Sequence, residues 1–514
     1  MSQVLDIDHC DLDIKSNSSS HHTDLFGEKR LIVRRGQPFN IIIHLKADNR
    51  NFHPDEKSFT LTVETGPLPR KESDTKATFG LSESTAETEW SASATSDPSG
   101  NTVSVSISSS PNAPIGLYSL SLDQVGQTTV LGEFFLLFNA WCPRDAVYMS
   151  SKKKRHEYVL EQHGQIFRGT HKRIKGTPWN FAQFDPRILD ICLMILDANP
   201  KFVSDADKDC SARRNPIYVS RVLSAMINSN DDRGVLVGEW EEYSGGVHPG
   251  MWIGSADILQ QWAENGPVRY GQCWVFAAVA CTVSRALGIP CRVVTNFGSA
   301  HDSDANLKIE NLYNEDGDRI SEGDSVCVDH TILLSEATGE LCLFVRRMRR
   351  PLWRYGLAKP DCEFGPERRI SMRLEYDRYG SAITSDRLIH LSAITIDKQT
   401  IDYQKAEKTV VLDEPDIEIK LVGEATVNQS VTVDLTLLNP LPEALQDCSF
   451  TIEGAGLTDG KPITVKLGAV DAKQEAKASI EFRPTSVCSS VLLVNFDSNK
   501  LKNIKSFINI TVNQ

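Results

Sequence analysis

YGQCWVFAAVACTVSRALGIPCR, residues Tyr270 to Arg292, decides how the rest of the chain is read. From Trp274 to Leu287 the run is apolar on almost every face, Gly288 follows as a C-terminal cap, and Pro290 stands just beyond it. Such a run predicts a helix buried inside a domain, and Cys273 opens it. A cysteine in a first helical turn faces backbone N–H groups without intrahelical partners and the positive end of the helix dipole. Both favour thiolate, the attacking form. Taken alone, a cysteine at a helix start is more often a small core residue, so its neighbours must decide.

At 514 residues with 40% hydrophobic content, the chain is long enough for several cores, and more than one domain is expected. A net charge of −13 opposes binding to nucleic acid or acidic membrane and suits a protein that recruits cations. No apolar h-region with a small-residue cleavage site opens the sequence, and no apolar run is long enough for a transmembrane segment, so a cytoplasmic location is expected. The 12 cysteines form no CxxC pair or short disulfide framework, as reduced thiols in a cytosolic protein would not.

YGQCWVFA resembles the active-site segment of the animal transglutaminases, the calcium-dependent protein-glutamine gamma-glutamyltransferases. The resemblance continues upstream in VSRVLSAMINSNDDRGVLVGEW (Val219 to Trp240) and WIGSADILQQW (Trp252 to Trp262), and downstream in VVTNFGSAHDSDAN (Val293 to Asn306). It runs from Leu5 to about Val326 and resumes from Ile370 to Gln514. It implies a multidomain chain of α+β and all-β parts: an N-terminal immunoglobulin-like β-sandwich, a papain-like α+β catalytic core, and a C-terminal β-barrel or sandwich.

The residues support that division. Residues 1–138 read as all-β, with strands at Phe39 to Leu45, Phe59 to Glu64, Val103 to Ile107, Leu117 to Leu122 and Phe134 to Phe138. Ser82 to Ser99 is expected to be an exposed polar loop. By the resemblance the core occupies 139–326 and is truncated, and apolar spacing predicts helices within it at Arg187 to Asp197 and Ser220 to Ile227. Residues 327–369 leave the family pattern; their basic cluster, Arg346, Arg347, Arg349, Arg350 and Arg354, reads as a solvated loop or the product of a frame or splicing change. A large segment is inferred to be missing there. Residues 370–412 resemble the closing strands of the first C-terminal barrel, a remnant whose unpaired edges predict instability or association. The last barrel fills 413–514, with strands at Ile417 to Leu421, Val431 to Leu437, Val491 to Phe496 and Phe507 to Val512.

The resemblance also implies site roles. Cys273 is the nucleophile, attacking a glutamine carboxamide to give a thioester that a lysine side chain or polyamine resolves. Trp240 matches the tryptophan whose indole N–H, a donor only, faces the oxyanion. His330 follows Cys273 at about the family's spacing and would be the base, although Cys327, Val328 and Asp329 replace its usual neighbours. The aspartate that orients the histidine has no match: its place falls on Trp353, and Asp361 is only a nearby acid. Ca²⁺, which takes six to eight oxygen ligands, is implied at two loops. One holds Ala225 (through its carbonyl), Asn228, Asn230 and Asp231; the other holds Asp302, Asp304, Asn306, Lys308 (through its carbonyl) and Asp324. Substrates would be proteins with reactive glutamines. The same residues leave open a catalytically impaired or inactive isoform acting as a binding or structural protein, and a thiol hydrolase or deamidase.

Overall fold

In a computed structural model, the chain is described over residues 6–46, 59–82, 88–96, 101–124, 126–170, 173–229, 233–240, 242–299, 327–334, 388–396, 403–411, 414–485 and 487–514. The N-terminal domain is a sandwich of two sheets. In the four-stranded sheet the order is Ile7–Asp11, Pro38–Leu45, Thr102–Ser108, Ser91–Ser96. In the five-stranded sheet it is Leu31–Arg34, Gln127–Leu137, Gly116–Gln124, Thr60–Thr65, Lys76–Gly80. Alternation along the strands does the packing: Phe39, Ile41 and Ile43 face Leu61, Val63, Leu120 and Phe134 across the core, while Asn40, Ile42 and His44 lie on the outer face.

Ser82 to Ser99 is not wholly a loop, because Ser91–Ser96 forms the edge strand beside Thr102–Ser108, with Ala92 fully buried. Small polar residues hide the alternation that would announce a strand. Residues 83–87 and 97–100 lie outside the described residues.

The core that follows joins the sandwich through a buried ion pair. Arg35 Nε and Nη2 donate to Asp145 at 2.7 and 2.8 Å, both side chains are fully buried, and Arg35 Nη1 donates to the Arg214 carbonyl at 2.9 Å. Helices Ile188–Asp197 and Pro216–Ile227 form about where the apolar spacing predicts. The second starts four residues earlier than expected because Asn215 caps it, accepting from Ile217 N at 2.9 Å ahead of Pro216. Against them packs the helix Cys273–Ala286, in which every residue from Trp274 to Ala286 is buried.

Glycine is required at the end of that helix. Gly288 sits at φ 89, and a Cβ there would lie 2.3 Å from the Phe138 carbonyl oxygen. The chain then turns into strand Cys291–Ser299, which pairs antiparallel with Cys327–Leu334; the helix packs on both. The remnant of the first barrel is represented among the described residues by an antiparallel pair, Leu388–Ile396 with Tyr403–Val411.

The last domain is a second sandwich. Three strands, Ile417–Val422, Val431–Leu438 and Glu475–Phe482, face five, Ala425–Thr426, Ile504–Asn513, Ser489–Asp497, Leu445–Glu453 and Ile463–Val470. All four strands expected there are present. Its strands Ser489–Asp497 and Ile504–Asn513 rest against the core strand Arg173–Asn180, part of the hairpin it forms with His163–Thr170. The architecture is therefore the expected one, two all-β sandwiches flanking an α+β core.

Candidate active site

Two short strands place the key residues. Leu236–Gly238 and Val268–Gly271 pair in parallel, with Gly238 opposite Gly271. Each chain leaves the pair in the same direction, and two residues on come Trp240 and Cys273. Parallel pairing thus brings residues distant in sequence to one end of the sheet. Glu239 N donates to the Gly271 carbonyl at 3.2 Å, continuing the ladder one step beyond the strands.

Side chains then lock the two segments. Gln272 Nε2 donates to the Glu239 carbonyl at 3.1 Å and to Tyr243 Oη at 2.8 Å. The Glu239 carboxylate turns back to accept from Trp240 N at 2.9 Å. Gly238 leaves room for the Trp240 ring, since a Cβ there would lie 2.8 Å from it, and Phe276 closes the other side. Trp240 and Cys273 are both half-buried, packed at the margin of the core cluster.

Cys273 is the first residue of its helix, with Gln272 extended before it. The Gln272 carbonyl accepts from Val275 N at 2.8 Å and from Phe276 N at 3.1 Å. The earlier N–H groups of the turn belong to the set that a helix start leaves without intrahelical partners. Next along, Trp274 is buried beneath the Arg168 guanidinium, 4.1 Å from its ring. Opposite, Tyr270 is tied down: its carbonyl accepts from Trp252 Nε1 at 2.8 Å and its hydroxyl donates to the Ser244 carbonyl at 2.9 Å. His248, edge-on to Tyr243 at 4.3 Å, accepts from Gly250 N through Nδ1. Burial, with Lys502 and Arg168 nearby, holds it below the ordinary histidine range.

His330 lies in strand Cys327–Leu334, opposite Thr295 of Cys291–Ser299. Both strands pack against the helix Cys273–Ala286. The His330 side chain lies outside the described residues, as do Trp353, Asp361 and the whole second calcium loop, Asp302, Asp304, Asn306, Lys308 and Asp324.

Of the first calcium loop, Ala225 is exposed in the last turn of Pro216–Ile227, Asn228 follows the helix half-buried, and Asn230 and Asp231 lie outside the described residues. The loop folds back tightly on the helix end. A Cβ on Gly234 would fall 2.0 Å from the Met226 carbonyl oxygen and 2.4 Å from that of Asn228. Among the described residues no group of three His, Cys, Asp or Glu is arranged to hold a metal. The Met226 carbonyl is already engaged, accepting from Val235 N at 2.8 Å, while the Ala225 carbonyl in the last helical turn is of the oxygen type that a hard cation takes.

Reading residue by residue did not single out Gln272, Glu239 or Tyr243. The signal lay in their places: Gln272 directly before the cysteine, Glu239 directly before the tryptophan.

Comparison with known proteins now adds an independent line. Family models described as "Transglutaminase family", "Transglutaminase-like superfamily" and "Transglutaminase family, C-terminal ig like domain" match residues 8–125, 257–331 and 415–514. The core match thus reaches one residue past His330. Protein-glutamine gamma-glutamyltransferase 2 of Bos taurus is 34% identical over 687 aligned positions, covering 100% of both chains. The human protein of that name is 33% identical with the same coverage. With only 514 residues here to meet 687 positions, and both ends aligned, an internal stretch of the relative has no counterpart. Human protein-glutamine gamma-glutamyltransferase 5 is 46% identical over 325 residues, 62% of this chain and 45% of that one. The crystal structure of red sea bream transglutaminase superposes with a TM-score of 0.75 at 25% identity, covering 99% of this chain and 100% of that one. The likeness spans both sandwiches and the core between them, and the chain belongs to the transglutaminase family.

Proposed function

We propose that this chain is a calcium-dependent protein-glutamine gamma-glutamyltransferase that works through a thioester on Cys273. The observation that carries this reading is the pairing of Gly238 with Gly271 in two parallel strands, which sets Trp240 and Cys273 each two residues beyond the same end, with the cysteine opening a buried helix.

The chemistry follows from those positions. The Cys273 thiolate adds to the γ-carboxamide carbon of a protein glutamine, and the oxygen takes up negative charge. The Trp240 indole N–H and the first-turn N–H groups of the helix donate to that oxygen as the charge develops. His330 gives a proton to the departing nitrogen, the C–N bond breaks, and ammonia leaves a thioester. His330 then takes a proton from an incoming lysine or polyamine nitrogen, which forms the new amide bond as the thiolate is released. Ala225, Asn228, Asn230 and Asp231, and on the second loop Asp302, Asp304, Asn306, Lys308 and Asp324, would hold Ca²⁺. When bound, that ion supplies fixed positive charge that orders both loops beside the core. A reactive thiol of this kind suits a reducing cytoplasmic compartment.

Calcium-dependent incorporation of a labelled primary amine into a glutamine-rich acceptor tests the proposal, with Cys273→Ala as control. Incorporation that needs both Ca²⁺ and Cys273 is expected. Ammonia release without amine incorporation would mark a deamidase, and neither activity in folded protein would mark an inactive isoform serving a binding or structural role.

A further inference from the structure

Two nucleophilic groups inside the core take no part in acyl transfer. Cys281 lies in the helix Cys273–Ala286, about two turns beyond Cys273, and Cys291 opens the strand that follows the Gly288 turn. Both are free thiols and fully buried. Their side chains hydrogen-bond to each other. Such a bond aims the proton of one thiol at a lone pair of the other, so the two sulfurs already face each other.

The surroundings of the pair are cationic. Arg285, 4% exposed, donates from Nε to the Cys291 carbonyl at 2.9 Å and from Nη1 to the Glu161 carbonyl at 2.7 Å, with its guanidinium 4.4 Å from the Phe181 ring. Among the described residues no carboxylate pairs with Arg285; that of Glu161 turns to His163, at 3.2 Å. Arg285 hydrogen-bonds instead to the Cys281 side chain. A buried cation in this position favours the neighbour that can become an anion.

We propose that Cys281 and Cys291 are an oxidation-sensitive dithiol, which hydrogen peroxide converts to a disulfide inside the folded core. The environment assigns the two roles. Burial pushes the Cys281 thiol up, but the hydrogen bond from Cys291 and the Arg285 charge outweigh it and leave Cys281 below the ordinary thiol value. Burial and the neighbouring Cys281 hold Cys291 well above that value. Cys281 is therefore the attacking thiolate and Cys291 the resolving thiol.

The Cys281 sulfur attacks one peroxide oxygen, the O–O bond breaks, and the departing hydroxide takes a proton to leave as water. That gives a sulfenic acid on Cys281. The Cys291 sulfur then attacks the Cys281 sulfur, its proton passes to the hydroxyl group, and a second water leaves as the S–S bond forms. Two thiols have lost two electrons and one peroxide has gained them. The new bond joins the helix that Cys273 opens to the strand paired with that of His330. In a reducing compartment it would be transient. Because both sulfurs are buried, peroxide reaches them through local opening, and the reaction should be slow.

The test is incubation of the full chain with millimolar hydrogen peroxide, alkylation of remaining thiols, and digestion with trypsin and chymotrypsin together. Cleavage after Phe276, Arg285 and Arg292 puts Cys273, Cys281 and Cys291 on separate peptides, so mass spectrometry assigns the linkage in the parent chain itself. A Cys281–Cys291 linked pair is expected in protein whose circular dichroism matches that of the untreated chain, and dithiothreitol should abolish it. Cys281→Ala and Cys291→Ala should lose it, and Cys273→Ala should keep it. Separately alkylated or sulfinic Cys281 and Cys291 with no linked pair overturns the proposal. So does linkage of Cys281 to another cysteine, or a Cys281–Cys291 link that forms only after the circular dichroism signal of the fold is lost.

Discussion

Gln272 donates a hydrogen bond from Nε2 to the main-chain carbonyl of Glu239, at 3.1 Å. The residue before the candidate nucleophile therefore holds the residue before the candidate oxyanion donor. Tyr243 shares the same amide group at 2.8 Å, so one side chain ties three segments together. Gln272→Ala removes the tie without touching substrate. A misplacement of about 1 Å at a reacting centre costs on the order of a hundredfold in rate, and kcat should fall 10- to 100-fold with KM little changed. Alkylation of Cys273 by iodoacetamide should keep its pH profile, because the helix that favours the thiolate is untouched.

Trp240→Phe isolates the indole N–H. Phenylalanine keeps an aromatic ring at this half-buried position but not the outer indole edge, Cζ3 and Cη2, that approaches Gly238, so the donor is lost together with a small part of the packing. Removing one oxyanion donor typically costs about 10²–10³ in kcat. Steady-state amine incorporation should show that loss in kcat, with thermal unfolding within a few degrees of the parent. A fall in KM-dependent binding alone would place the tryptophan in substrate recognition instead.

The helix Cys273–Ala286 was legible in sequence because an apolar run with a Gly-x-Pro stop has few other solutions. The outer sandwiches were legible through period-two alternation, seen in Val431–Leu438, whose residues alternate inward and outward. Ser91–Ser96 was not, since only Ala92 among its six residues is a fully buried apolar group. The pairing of Leu236–Gly238 with Val268–Gly271 was equally silent. Strands of three and four residues carry too little pattern, and nothing local announces a parallel contact across a helix. That is why Cys273 and Trp240 could be named from their motifs while the clamp through Gln272 could not.

Gly288→Ala tests the helix stop. The new methyl would meet the Phe138 carbonyl oxygen at 2.3 Å, a main-chain atom with little freedom to move, and a left-handed φ of 89 adds strain. Phe138 N also donates to the Leu287 carbonyl at 3.1 Å, so the clash falls on the seam between the first sandwich and the core. A loss of roughly 2–4 kcal/mol is expected, from overpacking and backbone strain together. Denaturant unfolding should show a lower midpoint with the slope unchanged.

Buried acids between the core and the last sandwich predict an unusual pH dependence. Glu453 is 1% exposed and accepts from Asn180 Nδ2 at 3.2 Å. Burial, with Asp185 and Asp257 nearby, pushes its carboxyl up to about 8. Burial likewise raises Asp185 to about 7 and Asp497 to about 6. The folded chain therefore binds more protons than the unfolded chain between roughly pH 4.5 and 8, and over that window these groups make stability fall as pH rises. Lys505, whose ammonium donates to the Trp252 carbonyl at 2.5 Å, is pushed down to about 7 by burial and Arg168. Its contribution runs the other way, recovering stability from about pH 7 upwards as the pH approaches the ordinary lysine value. Glu453→Gln keeps the shape and the acceptor for Asn180 but cannot ionise. Near pH 5 it should match the parent, and by pH 8 it should be more stable by on the order of 2 kcal/mol. Thermal unfolding of the pair from pH 5 to 8 measures the difference, and curves that stay parallel would mean that Glu453 does not titrate in this window.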